Sequence, residues 1–414
     1  MIKYAVGALM LSSALVPVQA AAQTAPATNV DQQAQIDALQ AQVKAMQAQL
    51  EQMQAQLANQ QKAVVAVVTP APAPAVQATP QLAADKPSWT SNTKIGGKAF
   101  LNVSHISQET NGVKQASTGT EADLKRFYVS VDHQFNPMFS ANITTDFRYG
   151  SGDTTVYVKK AYLQAKLSDA AIFRVGAADL PWVPFVEDLY GNRYVEQVVI
   201  DRTKYGTSTD WGVHFFGKTM GGKLSYAVSA VNGAGYKTLA RNSDTIDLEG
   251  RISFKPVDYL VFGVGGYTGK LGKSNATATT YHRATRLDLV GAYVGKRGRL
   301  GVEYFSAKNW GNVATVAEDK TSGWSAFGSF AVTDRIGLFG RYDWVNPNKL
   351  TNAALKENYF NLGASYVVTD GLDVALVYKR DRAENGFVPT GNGTIGGVVD
   401  GTYDEFGIWS QFKF

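Results

Sequence analysis

The stretch 138–150 reads MFSANITTDFRYG. Phe139, Ala141, Ile143, Thr145, Phe147 and Tyr149 share one parity, and Ser140, Asn142, Thr144, Asp146 and Arg148 share the other. Successive side chains of a strand point to opposite faces, so this is a strand with one apolar and one polar face. Its apolar face carries aromatics at both ends and smaller residues between. That is the profile of a strand crossing a bilayer between two aromatic girdles. RFYVSVDHQF (126–135) repeats it, with Phe127, Val129, Val131 and Phe135 against Arg126, Ser130, Asp132 and Gln134. TIDLEGRISF (245–254) repeats it again, with Ile246, Leu248, Ile252 and Phe254 against Asp247, Glu249 and Arg251. The last ten residues, EFGIWSQFKF, set Phe406, Ile408, Phe412 and Phe414 against Glu405, Gln411 and Lys413. Chain ends usually fray; this one reads as a strand ordered to its final residue.

A water-soluble β-sandwich would alternate too, so the connections decide. Strands are expected near 94–108, 123–135, 138–149, 154–167, 170–179, 208–217, 223–232, 245–255, 258–269, 282–295, 299–308, 322–332, 335–345, 357–368, 372–382 and 402–414, sixteen in all. Every second connection is tight (NP, SDA, TMGG, PV, KRG, TD, TDG), and the alternate ones are mostly long and polar. Short turns at one rim and long loops at the other mark an outer-membrane barrel. An even count brings both ends to the short-turn rim. Closure then pairs the first strand with the last and leaves no open edge. The expectation is a 16-stranded antiparallel transmembrane β-barrel over 94–414, with Phe414 at its seam.

Ahead of the barrel three zones are legible. Residues 1–22 carry Lys3, an apolar run from Ala5 to Val16 and the small residues Ala20, Ala21 and Ala22, the pattern of a cleaved secretory signal. Over 30–64, Ile36, Leu39, Val43, Met46, Leu50, Met53 and Leu57 recur at alternating steps of three and four, the seam of a coiled coil. The alternative is a helix lying on its own domain. Residues 65–93 are proline-rich, an extended spacer rather than packed structure. The chain is therefore expected to be exported, with a periplasmic coiled-coil helix preceding the barrel. No stretch is apolar for about 18 consecutive residues, which excludes a helical membrane span. The 414 residues include no cysteine, so disulfides and thiolate metal sites are excluded. The net charge of +5 is dispersed, against the basic patch that nucleic acid requires.

The segment PWVPFVEDLYGNRYVEQVVIDRTKYGTSTDWGVHFFGK (181–218) resembles the third-loop region of the phosphate-selective porin family of Gram-negative bacteria, and the closing FKF resembles the signature such barrels present to the barrel-assembly machinery. The resemblance spans about 94–414. It implies a homotrimeric outer-membrane pore for small hydrophilic solutes or anions, phosphate-like ones among them, in contact with lipid and lipopolysaccharide.

The residues agree with a pore, because barrels of this strand number enclose a water-filled channel. The connection Leu180–Thr207 is the longest and carries Trp182, Phe185, Tyr190, Tyr194 and Tyr205. It also carries Glu187, Asp188, Arg193, Glu196, Asp201, Arg202 and Lys204. So many aromatics suit a loop folded into the lumen. Facing it are expected the inward cations Arg126, Arg148, Lys160 and Arg174, one on each of the second to fifth strands, partly offset by Asp132, Asp146, Asp247, Glu249, Asp288 and Glu405. Together they form the candidate constriction, since rings of fixed charge set ion preference. Tyr128, Tyr359 and Trp409 have inward parity and leave a sugar-specific pore open. A tether gripping the cell wall through the coiled coil is a further alternative. The histidines are His105, His133, His214 and His282, with no H-E-x-x-H and no G-x-S-x-G. The GKS at 272–274 lacks the earlier glycine of a phosphate loop, Tyr267 standing there. An enzyme is not expected, nor any cofactor.

Overall fold

The computed structural model describes residues 89–149, 154–238, 245–273 and 281–414, together with Lys44 and Ala48, both helical and exposed. The signal segment, the seam residues and most of the proline-rich spacer lie outside the described residues. The barrel occupies the second of two units, Ala84–Phe414.

Sixteen strands form one antiparallel sheet closed on itself. They are β1 (Thr93–Thr110), β2 (Gly119–Gln134), β3 (Phe139–Tyr149), β4 (Thr154–Ser168), β5 (Ala171–Asp179), β6 (Thr209–Thr219), β7 (Leu224–Val231) and β8 (Asp247–Phe254). They continue as β9 (Leu260–Gly269), β10 (Ala284–Val294), β11 (Gly298–Lys308), β12 (Lys320–Ala331), β13 (Ile336–Asn346), β14 (Lys356–Thr369), β15 (Leu372–Glu384) and β16 (Gly401–Lys413). Each strand pairs with the next, and β1 pairs with β16 from Lys98↔Lys413 to Gln108↔Tyr403. Gly97 N–H donates to the Phe414 carbonyl (2.9 Å) and Phe414 N–H to the Gly97 carbonyl (3.2 Å). The apolar terminus is thus a seam residue, as the alternation implied.

The outward face is apolar on strands all round the ring: Ile143, Val213, Val228, Leu289, Leu338, Leu362 and Ile408 are all exposed. Cross-strand aromatic pairs lie toward the rims, among them Phe127–Phe147 (5.3 Å), Tyr259–Tyr293 (5.7 Å) and Trp324–Tyr342 (5.3 Å between ring centres). The short turns rest on local chemistry. In the β2–β3 turn, Asn136 Oδ1 accepts from the N–H groups of Met138 and Phe139, both at 2.9 Å.

The connection between β5 and β6 folds into the lumen as α1 (Val183–Tyr190) and α2 (Val199–Arg202). Sequence explains α1: proline in the first turn, where a missing N–H costs nothing, and Gly191 at φ 81°, whose N–H returns to the Glu187 carbonyl. Trp182, Val183, Val186, Val199 and Ile200 are fully buried against Val261, Val290, Phe305, Phe327 and Val345 of the barrel wall. Glycines make the approach possible. A Cβ on Gly265 would stand 2.4 Å from the Trp182 ring, and one on Gly263 would stand 2.8 Å from Phe185. The inserted segment therefore lies on the β9–β13 side.

Candidate pore constriction

The segment is fixed to that wall at both ends of α1. Glu249 accepts from Trp182 N–H (2.9 Å) and Glu303 from the Trp182 ring Nε1 (2.8 Å). Arg299 donates to the carbonyls of Asp188 and Leu189 at the other end. Arg202 of α2 reaches Asp343 (3.1 Å), Glu357 (2.6 Å) and Asp381 (2.9 Å), with its guanidinium over the Tyr359 ring at 4.2 Å. Arg341 holds Asp343 with two bonds, at 2.7 and 2.5 Å, and donates to the Gln197 carbonyl. Arg286 holds Asp288 (2.8 Å) and Glu249 (3.2 Å) and donates to the Tyr205 carbonyl (2.6 Å). Lys379 lies between Glu196 (3.2 Å) and Glu405 (3.3 Å). Burial alone would raise the Glu196 carboxyl, but Lys379, Arg341 and Arg202 pull it down to about 2. The far wall is rich in carboxylates, and cations neutralise most of them.

Two of the loop carboxylates are held by partners within the loop. Glu187 is paired with Arg193 at 2.5 Å, and burial keeps its carboxyl above the ordinary value despite that partner. Asp201 accepts from the Gln197 amide at 2.5 Å. Burial raises the Asp188 carboxyl as well. Glu187 and Asp201 are thus held within the loop itself, and Glu196 is the loop carboxylate that an ion pair joins to the wall, through Lys379.

The near wall differs. Arg126 stands 3.8 Å from Asp146, a loose pair, whereas Lys160 is neutralised by Asp179 at 2.5 Å. Arg174 lies lower, toward the short-turn rim, between the rings of Tyr162 (4.4 Å) and Phe216 (4.5 Å), and donates to Gln164. Arg148 pairs with Thr155 through the backbone, and its side chain lies outside the described residues. Arg126 and Arg193 both line the central cavity, whereas Lys160 and Arg174 are engaged by wall neighbours.

Two cations at this place are not given by strict alternation. Register slips between Thr144 and Thr145 against β4, and between Phe100 and Leu101 against β2, leave Lys159 and Lys125 as extra residues. A bulge re-aims a side chain in this way. Lys159 and Lys125 turn inward and line the central cavity of about 610 Å³ with Arg126, Arg193, Tyr236 and Lys237. Lys125 is paired with Asp123 (2.8 Å). Lys159 Nζ donates to Ser208 (3.2 Å) and Tyr128 (3.5 Å), and lies over the rings of Tyr128 (4.8 Å) and Tyr236 (5.4 Å). Among the described residues no carboxylate is paired with it. A partial signal lay in the sequence: strict alternation gives Lys159 of VKKAY and Lys125 of LKRFY lipid-face parity, at a cost of about 2–4 kcal/mol near the midplane, but alternation alone does not say which residue a bulge re-aims.

No family model matches the chain, and no curated protein does. Solved structures do. An anion-selective porin from Comamonas acidovorans aligns at TM-score 0.60 and 10% identity, covering 78% of this chain and 99% of its own. The outer-membrane channel DcaP of Acinetobacter baumannii aligns at 0.56 and 12%, covering 78% and 97%. Salmonella typhi OmpF, in complex with daunomycin, aligns at 0.54 and 12%, covering 79% and 99%. At these identities the likeness is one of fold: the chain has the barrel fold of the outer-membrane porins.

Proposed function

We propose that the chain is an outer-membrane channel for passive diffusion of small hydrophilic solutes, with a preference for anions. The long-loop rim faces outside, and the short turns and the coiled coil face the periplasm. The observation that carries the preference is Lys159, aimed by a bulge into the lumen opposite a loop whose charges are largely paired. Charged walls of low dielectric concentrate counter-ions at a narrowing. Lys159 with Arg126 would draw anions, inorganic phosphate among them, past the inserted segment. The Glu187–Arg193 and Glu196–Lys379 pairs contribute little net charge there.

A sugar-specific path along aromatic steps is disfavoured. Tyr359 and Trp409 are buried and covered by Arg202 (4.2 Å) and Lys379 (4.5 Å). The assembly is a homotrimer in lipid and lipopolysaccharide, inserted by the barrel-assembly machinery through the terminal Phe-Lys-Phe. The test is conductance in planar bilayers: chloride more permeant than potassium in the wild type, with the ratio lowered in Lys159→Gln. Cation preference in the wild type would overturn the reading.

A further inference from the structure

A second segment turns inward above the constriction, and the channel reading does not use it. Between β15 and β16 the chain forms a hairpin of two short strands, Phe387–Thr390 and Gly393–Gly396, paired from Phe387↔Gly396 to Thr390↔Gly393. It does not project away from the barrel. Val388 and Ile395 are buried in a cluster of their own with Ile106, Leu355, Ala383 and Tyr403. Polar contacts add to this docking. Gln108 Nε2 donates to the Thr394 carbonyl (3.0 Å), Thr390 Oγ1 donates to Gln108 Oε1 (3.3 Å), and Asn392 Nδ2 donates to the Ser117 carbonyl (3.3 Å). Asn111 N–H donates to the Gly396 carbonyl (2.8 Å), and Val398 N–H to Asn111 Oδ1 (2.8 Å).

The tip, Pro389 to Asn392, lines the same cavity as Lys159 and Lys237. The β7–β8 connection, with Gly235 and Tyr236, lines it as well, eight strands round the ring from β15–β16. Residues 387–399 read FVPTGNGTIGGVV and hold no charged side chain. This element narrows the mouth without adding fixed charge to it.

We infer that the docked hairpin is an outer sieve that sets the size limit of the channel, separate from the charge filter at Lys159 below it. This rests on the channel reading. The two functions divide because a neutral wall excludes by bulk, whereas ion preference follows fixed charge.

The test measures exclusion of neutral polyethylene glycols of graded size, together with reversal potential, in planar bilayers. Replacing 388–395 by a short Gly-Ser link is expected to admit larger polymers and to raise conductance. Gly391→Trp acts in the opposite sense. A Cβ added there meets nothing within 4 Å, so the tip has room to start a larger side chain while the mouth closes in. It is expected to exclude smaller polymers and lower the conductance. Neither variant is expected to move the reversal potential, which Lys159→Gln does move. An unchanged exclusion limit in Gly391→Trp, or in the deletion where it folds, overturns the sieve. So does a reversal potential that shifts with either. Absence of conductance in the wild type would instead overturn the channel reading itself.

Discussion

Arg202→Met tests how the inserted segment is held. The guanidinium serves three carboxylates at once, Asp343, Glu357 and Asp381. After the change Asp343 keeps Arg341 at 2.5 Å, and Glu357 and Asp381 lose the ion pairs they make with Arg202. Breaking one buried pair costs about 3–5 kcal/mol, because the partner charge stays behind. Loss of the stacking on Tyr359 adds up to about 2 kcal/mol. Against this stand the buried Val199 and Ile200 of α2, each contributing about 1.5–3 kcal/mol. The two sides are comparable, so α2 should detach for part of the time. The α1 end keeps Trp182, Val183, Val186, Leu189 and Tyr190 and should stay. The strand pairings of β13, β14 and β15 do not pass through this contact, and folding yield should be unchanged. Single-channel recording should show larger mean conductance and more open-channel noise at neutral pH. Acid should quiet the noise by neutralising the orphaned carboxylates. Arg202→Lys should fall between, since a point charge cannot span the three acceptors. Wild-type noise and conductance in Arg202→Met would refute the anchoring role.

Other outcomes follow from the same geometry. Ile143→Arg should lower folding yield in lipid, because Ile143 is 55% exposed on the outer face and a cation there costs about 2–4 kcal/mol. Asn142→Arg, at an inward position 7% exposed, should fold normally; equal yields would mean the faces are misassigned. The Glu196 carboxyl lies at about 2 against an ordinary value of 4.5. Its contribution to docking is thus fully present above about pH 4.5 and lost as pH falls through about 2. Glu196→Gln should therefore raise open-channel noise as much at about pH 4.5 as at neutral pH; an effect that disappears by about pH 6 would contradict that pairing. Removing residues 32–61 should lower the thermal stability of the oligomer and leave channels open, and lost conductance would show that this segment belongs to the pore.

The strands were legible because lipid is an unforgiving solvent. An outward face must be apolar on every strand, so alternation recurs sixteen times and the turns fall between. Bounds differ by only a few residues, as for β8, expected over 245–255 and formed by Asp247–Phe254. The inward placement expected for Asp146, Asp247, Glu249, Asp288 and Glu405 rested on the same periodicity, and each is buried inside the barrel. Periodicity says nothing of partners. Arg202 and Asp381 lie 179 positions apart, so the docking of the loop could not be read from spacing. Alternation also fails at a bulge, which is why Lys160 was legible and Lys159, the residue beside it, was not. The inward turn of 387–396 is hidden for another reason: a neutral glycine-rich connection reads as an ordinary surface loop.

The most direct measurement is the reversal potential of single channels in a potassium chloride gradient at low salt. Screening is weak there, the Debye length being about 30 Å at 0.01 M and about 3 Å at 1 M. Wild-type channels should show the sign of anion preference, reduced in Lys159→Gln, reduced further when Arg126→Gln is added, and diminished for all of them in molar salt. A reversal potential unmoved by both substitutions at low salt would contradict the placement of these two cations at the narrowing.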